Sequence, residues 1–288
     1  MEPAGKEKMV SVHAASASSS GHARPVTIQD LATFKAEGHK FVMLTAYDYL
    51  SAQILDEAGV PVILVGDSLG MVMLGYDSTI PVTLDEMLHH TAAVARGATN
   101  SLVVGDMPFG TYQDGPSQAL ASATRFLKEA GANAVKLEGG GPMIETVDHL
   151  TRAGIPVMGH LGLTPQSVNQ FGGYRVQGRS EDAVARMISD ARGLQEAGAF
   201  SIVLEAVPSD AGRRVTEAID IPTIGIGAGP DTDAQVLVWH DLLGLTSGRL
   251  PRFVKQYVGL REHIADAVKT FATEVRDAEY PAPEHQYR

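Results

Sequence analysis

The 288-residue sequence contains no cysteine. That absence removes disulfide frameworks, thiolate nucleophiles, cysteine-ligated zinc and iron–sulfur clusters together, and it is compatible with a reducing compartment. Long apolar runs are missing as well, and nothing approaches the roughly 18 consecutive apolar residues of a membrane-spanning helix. Basic excess is the third absence. Lysine and arginine number 23 against 34 acids, a formal net charge of −11. Such a balance argues against a general binder of nucleic acid or anionic membrane, while leaving room for one local basic pocket. The first residues carry Lys6 and Lys8 and then Ser11-Val-His-Ala-Ala-Ser-Ala-Ser-Ser-Ser-Gly21, without the continuous leucine- or valine-rich core of a secretory signal. Residues 1–25 are therefore expected to be a disordered Ala/Ser tail, and the protein to be cytoplasmic.

What is present is globular: 44% apolar and 20% charged residues exclude a disordered, collagenous or coiled-coil chain. From Thr27 onward a rhythm sets in. Thr27 and Asp30 resemble a capping box opening a short helix that ends near Gly38, and a strand follows at Phe41-Val-Met-Leu-Thr45. One pattern then recurs: helix, Ala-Gly, a β-rich run, and a polar residue where the run ends. Its copies span Asp56 to Asp67, Lys128 to Glu138, Thr151 to His160 and Gln195 to Glu205. Gly59, Gly131, Gly154 and Gly198 stand where a left-handed helix C-cap is needed. Further runs are Leu102-Val-Val-Gly-Asp106 and Ile221 to Gly227, with an eighth strand expected around Val236-Leu-Val-Trp-His240. The runs are short and apolar on both faces, as buried parallel strands are. Helices with 3.6-residue apolar spacing lie between them, as at Ala119, Ala123, Phe126, Leu127 and Ala130. Eight β-α units predict a (β/α)8 barrel, with a doubly wound sheet as the alternative. The expected single catalytic domain covers residues 26–278. It closes on an amphipathic helix bearing Ile264, Val268, Phe271 and Val275, and a polar tail follows over residues 279–288.

A barrel carries its chemistry where the strands end at their C-terminal side. Those ends read Asp67-Ser68, Asp106, Lys136 with Glu138, His160, and Glu205, more ionisable groups on one rim than a fold requires. Asp67, Asp106 and Glu138 close three successive strands and can surround one hard cation, for which magnesium suits oxygen donors better than zinc. The competing reading pairs one of these acids with Lys136. Lys136 and Glu138 are two residues apart on one strand and share a face. Lys136 is the only one of the eight lysines at a strand end, so it is either a Schiff-base lysine or an electrostatic clamp. The acids around it favour the clamp. His160 heads the glycine-punctuated Gly159 to Gln166 loop and either polarises a carbonyl or holds the loop. Glu205 follows Ile202-Val-Leu204 and precedes Ala206-Val207, surroundings that suit a base removing a carbon-bound proton. Its alternative is a buried, backbone-bonded acid. Gly225-Ile-Gly-Ala-Gly229 fails as a dinucleotide fingerprint because Pro230 occupies the third glycine position. A tight turn is the simpler reading there.

Taken in order, Thr45-Ala-Tyr-Asp48, Val65-Gly-Asp-Ser-Leu-Gly-Met71, Gly75-Tyr-Asp-Ser-Thr79, Gly105-Asp-Met-Pro-Phe109, Val135-Lys-Leu-Glu-Gly-Gly140, Gly159 to Gln166, Phe171 to Arg179 and Ile224 to Gly229 closely resemble the 3-methyl-2-oxobutanoate (ketopantoate) hydroxymethyltransferase family over residues 26–275. The resemblance implies a (β/α)8 TIM barrel of the phosphoenolpyruvate-mutase-like type. It further implies transfer of a hydroxymethyl group from 5,10-methylenetetrahydrofolate to 3-methyl-2-oxobutanoate, giving 2-dehydropantoate for pantothenate synthesis. On this resemblance Asp67, Asp106 and Glu138 match magnesium ligands. Asp67, Ser68, Asp106 and Lys136 match residues that bind the oxoacid, with His160 nearby, and Glu205 matches the proton acceptor. A homo-oligomer, commonly a decamer, is also implied. Two other readings share the acids: a magnesium-dependent carbon–carbon lyase or mutase of the same barrel type, and a non-catalytic oxoacid-binding regulator.

Overall fold

In the computed structural model, residues 24–287 are described. Apart from Arg24 and Pro25, the expected N-terminal tail lies outside them. The chain first forms α1 (Ile28–Ala36), where the Asp30 carboxylate accepts from both the backbone N–H and the hydroxyl of Thr27 at 2.8 and 2.7 Å. That is the capping arrangement the sequence suggested. It then alternates through β1 (Phe41–Thr45), α2 (Tyr49–Glu57), β2 (Val62–Val65), α3 (Leu69–Val72), α4 (Leu84–Gly97) and β3 (Leu102–Asp106). The order continues with α5 (Pro116–Lys128), β4 (Ala134–Lys136), α6 (Ile144–Arg152), β5 (Val157–Gly162), α7 (Val168–Phe171) and α8 (Glu181–Glu196). It ends with β6 (Ser201–Glu205), α9 (Ser209–Ala218), β7 (Thr223–Ile226), β8 (Ala234–Leu237), α10 (Trp239–Leu242) and α11 (Leu260–Arg276). Each strand pairs with the next in parallel and β8 closes on β1, so the sheet is a complete eight-stranded barrel.

Two departures from the expected pattern have local causes. The β7–β8 link is only residues 227–233, with no helix, although a parallel crossover normally takes a dozen residues or more. Turns at Gly227 and Gly229, both at positive φ, let the short link reverse. The end of β8 differs too: the strand starts at Ala234 and gives way to α10 at Trp239. The Trp239 N–H donates to Thr45 Oγ1 at 2.9 Å, which ties the chain to the end of β1.

Period-two alternation divides the apolar residues into two layers. Met43, Val62, Leu64, Leu102, Val104, Ala134, Met158, Val203 and Ile224 pack together inside the barrel, and α1 joins them through Leu31. Ile63, Val65, Val103, Val135, Val157, Ile202 and Leu204 face the surrounding helices instead. The helix ring comes close where residues are small: a Cβ on Gly105 would collide with the Phe126 ring of α5. The expected C-cap glycines all have φ between 73 and 91°. In α11 the apolar positions Ile264, Val268, Phe271 and Val275 are exposed rather than packed on the barrel. Phe271 meets the ring of Tyr280 in the following segment.

Candidate active site

The same alternation that fills the barrel also aims its rim. Counting by twos, Leu102 and Val104 lead to Asp106, Ala134 leads to Lys136 and Glu138, Met158 to His160, and Val203 to Glu205. Every second residue faces inward, so the charged groups form the uppermost inward layer. Register places Asp106 beside Lys136 and Gly162 beside Glu205. Gly162 has φ 92°, and a Cβ there would strike the Glu205 carbonyl, so β5 and β6 can converge at this point only with glycine. Ala206 then turns the chain at φ 48°, an uncommon conformation for a residue with a Cβ.

All six rim residues named from the sequence, with Ser68, line one cavity of about 1070 Å³. Asp67, Asp106, Lys136, Glu138 and His160 are buried. The Lys136 ammonium donates to Oδ1 and Oδ2 of Asp106 at 2.7 and 2.6 Å. The pairing of one acid with Lys136 is therefore real, and it coexists with the acidic cluster. Burial opposes the ammonium charge, but Asp106, Glu138 and Asp67 outweigh it and hold Lys136 above its ordinary pKa. A lysine held above its ordinary pKa is disfavoured as a nucleophile. Burial, then the charges of Asp106 and Glu138, push the Asp67 carboxyl well above the usual carboxylate range. Asp106 is also raised, mainly by burial, with Lys136 working against the shift.

His160 stands between two acids, with Nδ1 3.2 Å from Glu138 Oε1 and Nε2 3.3 Å from Glu205 Oε2. These are ion-pair distances without hydrogen-bond alignment, since neither ring nitrogen has a well-directed partner. Burial and the Lys136 charge lower its pKa, and the contacts with Glu138 and Glu205 more than reverse this, up to about 9. Glu205 is thus less apolar in its surroundings than its strand neighbours suggest: its side chain is 18% exposed and lines the cavity, with an imidazole at its side. Ser68 Oγ lies 2.9 Å from the buried Tyr47 hydroxyl. His90 holds the Tyr47 carbonyl through Nδ1 at 2.6 Å. Within Gly225–Gly229, Gly225 and Ile226 end β7 and the turn follows at Gly227 and Gly229; only Ile226 of the segment lines the cavity.

Sequence reasoning missed Gln166 and Tyr112. Both are buried and bonded to the acidic cluster. Their partners lie 26 to 99 residues away, so no spacing rule signals them. It also missed the far wall of the cavity, which includes Tyr174, His240, Asp241, Arg249 and Phe253.

Among the described residues, no three His, Asp or Glu side chains are already gathered closely enough to chelate an ion by themselves. Magnesium does not require that, because it is typically held by one or two carboxylates with water and substrate oxygens completing the shell. Three buried acids against one ammonium leave a formal charge of −2. Burial first, and then repulsion from Asp106 and Glu138, raises the Asp67 carboxyl, and a bound dication relieves that repulsion. The donor set fits a hard divalent cation.

Comparison with known proteins gives the family and the fold. A family model described as ketopantoate hydroxymethyltransferase matches residues 25–283. The 3-methyl-2-oxobutanoate hydroxymethyltransferase of Thermobifida fusca (strain YX) is 60% identical over 264 residues, covering 92% of this chain and 94% of the relative. Its counterpart in Streptomyces coelicolor is 57% identical over 262 residues, covering 91% and 90%. Among solved structures, phosphonopyruvate hydrolase in complex with oxalate and Mg++ superposes with a TM-score of 0.58 at 15% identity, covering 90% of this chain and 93% of that one. A 2,3-dimethylmalate lyase, a PEP mutase/isocitrate lyase superfamily member, gives 0.54 at 16%, covering 89% and 92%. At such identities the superpositions speak for the barrel fold alone.

Proposed function

The chain belongs to the ketopantoate hydroxymethyltransferase family, and from that premise we propose how its own residues carry out the transfer to 3-methyl-2-oxobutanoate. The observation that supports the reading most is the inward rim layer, where a buried acid–ammonium cluster faces the Glu205 carboxylate across His160. Asp67, Asp106 and Glu138 would hold one Mg2+. Bound there, magnesium supplies a Lewis acid for the keto and carboxylate oxygens of the oxoacid.

Glu205 takes the proton from the carbon next to the ketone, the C–H electron pair passing into the enolate. A placed base typically contributes about 10²–10⁴-fold to such a step. The Lys136 ammonium, held charged by three acids, stabilises negative charge as it develops on oxygen. Ser68, anchored by Tyr47, offers a hydroxyl to the bound oxoacid. His160 keeps Glu205 and Glu138 at fixed separation. 5,10-Methylenetetrahydrofolate opens to an iminium, water adds to it and the remaining C–N bond breaks, so that tetrahydrofolate leaves and the one-carbon unit is released at the formaldehyde level. The enolate carbon attacks that carbon, forming the new carbon–carbon bond, and the resulting alkoxide takes up a proton to give the hydroxymethyl group of 2-dehydropantoate. The cavity is larger than the oxoacid alone requires, which supports a second, folate-sized substrate. The uncovered apolar row of α11 supports a homo-oligomer, a decamer by family resemblance. Among the described residues no helix is long and apolar enough to cross a membrane, and a cytoplasmic location suits a biosynthetic transferase.

Proton NMR of 3-methyl-2-oxobutanoate in D2O with the protein and Mg2+ tests the assignment. The C3 proton signal should disappear, the loss should be abolished by a chelator, and added methylenetetrahydrofolate should yield 2-dehydropantoate. Glu205→Gln should retain oxoacid binding while exchange and turnover fall by about 10²–10⁴-fold. Unchanged exchange in that variant would remove Glu205 from its role.

A further inference from the structure

Lys136 orients only one of the three acids, Asp106. The other two, Asp67 after β2 and Glu138 after β4, are bridged by a residue from the β5 loop. Gln166 donates from Nε2 to Asp67 Oδ2 at 2.9 Å, and its backbone N–H donates to Glu138 Oε2 at 3.0 Å. Its amide orientation is settled by chemistry. Nε2 also donates to the Met107 carbonyl at 2.9 Å, and a carbonyl oxygen can only accept. Gln166 Oε1 in turn accepts from the Tyr112 hydroxyl at 2.6 Å, and that hydroxyl accepts from the Glu138 N–H at 3.1 Å. The loop is closed: Glu138 to Tyr112 to Gln166 and back to Glu138, with Asp67 tied in through the amide. Gln166, Tyr112, Asp67 and Glu138 are all buried.

We infer that Gln166, braced by Tyr112, is a positioning residue that holds Asp67 and Glu138 in the orientation in which they bind a divalent cation. Each acid gives one oxygen to the bracket, and Asp67 Oδ1 takes no hydrogen bond among the described residues. The choice of an amide is the telling part. A cation at position 166 would orient the acids equally well but cancel charge that the metal needs, whereas a neutral donor orients without neutralising. Lys136 beside Asp106 and His160 beside Glu138 already offset part of the acids' charge, and a further cation at position 166 would cancel more of it. The inference rests on the metal reading under Proposed function.

Mn2+ binding to the full chain, followed by electron paramagnetic resonance and competed with Mg2+, tests it directly. Gln166→Met keeps the length, removes the Nε2 donor to Asp67 and the Oε1 acceptor for Tyr112, and leaves the backbone N–H to Glu138 in place. It should weaken Mn2+ binding by about 10–100-fold, the usual cost of losing a partner that orients a ligand. Excess metal should recover most of the turnover, so that the loss falls on the metal and oxoacid KM more than on kcat. Tyr112→Phe loosens the brace without touching either acid's bond to Gln166 and should cost less. Thr216→Val, which breaks a buried hydroxyl pair with Thr223 at the opposite end of the barrel, serves as a control for general destabilisation and should bind Mn2+ as the parent does. Parent-like Mn2+ affinity in Gln166→Met overturns the inference, as does an equal loss in Thr216→Val. Should Gln166→Met not fold, parent-like affinity in Tyr112→Phe overturns it. A parent protein that binds no Mn2+ would instead reject the metal reading itself.

Discussion

Replacing Lys136 by methionine isolates the electrostatics of the rim. The ammonium lies within 2.7 Å of both oxygens of Asp106, and both side chains are nearly inaccessible to water. Breaking a buried pair by deleting one partner costs about 3–5 kcal/mol, because the remaining charge is left without compensation. Here that charge also faces Asp67 and Glu138. Asp106 can escape by taking a proton, and its carboxyl, already raised by burial, moves further up when the ammonium is gone. The sign follows. An acid whose folded pKa exceeds its unfolded value contributes stability at low pH, and this is lost as pH rises through the folded value. The deficit of Lys136→Met should therefore be greatest near pH 8. It should shrink by up to about 1.4 kcal/mol per pH unit on acidification, or about 2.7 kcal/mol between pH 8 and 6 for one retained proton. Urea unfolding of parent and variant at pH 6, 7 and 8, with chelator present, measures it. A deficit at pH 8 below about 1 kcal/mol, or one independent of pH, would refute the account of a clamped charge cluster.

Other outcomes follow from the same geometry. Asp106→Ala should weaken Mg2+ and oxoacid binding together, and calorimetry showing normal affinity for both would reject its place among the ligands. Gly162→Ala should destabilise the fold by at least about 1–3 kcal/mol through its positive φ and lower turnover by pushing on the Glu205 backbone. Wild-type activity in that variant would show that the contact is soft. His160, raised to about 9 by Glu138 and Glu205, contributes stability that is full below its unfolded value and fades as pH rises toward 9. In metal-free protein, thermal midpoints should consequently fall between pH 6.5 and 9 more in the parent than in His160→Gln. Parallel profiles would mean that the imidazole is not held charged.

The Ala-Gly that precedes four of the eight β-runs, together with apolar runs too short for helices, favoured a parallel barrel over a doubly wound sheet. The strand ends were legible because a barrel has only one face where loops and strand termini meet. Period-two alternation is a property of the chain itself, so Lys136 and Glu138 could be placed on one face from their numbers alone, while Asp106, His160 and Glu205 could be placed only at strand ends on the same rim. The family resemblance added the chemistry that geometry leaves open. Several matters depended on contacts between residues distant in the chain. Lys136 pairs with Asp106 and yet remains within reach of the other acids. Gln166 reaches Asp67 across 99 residues, and Tyr112 closes a loop with Glu138 across 26. Glu205 has an imidazole beside it where its sequence neighbours are apolar. The missing β7–β8 helix and the uncovered face of α11 are likewise products of packing. Local sequence dictates which way a side chain points, because that depends on the backbone's own period. What it meets there depends on which other segments the closed barrel brings to the same point, and only the tertiary structure decides that.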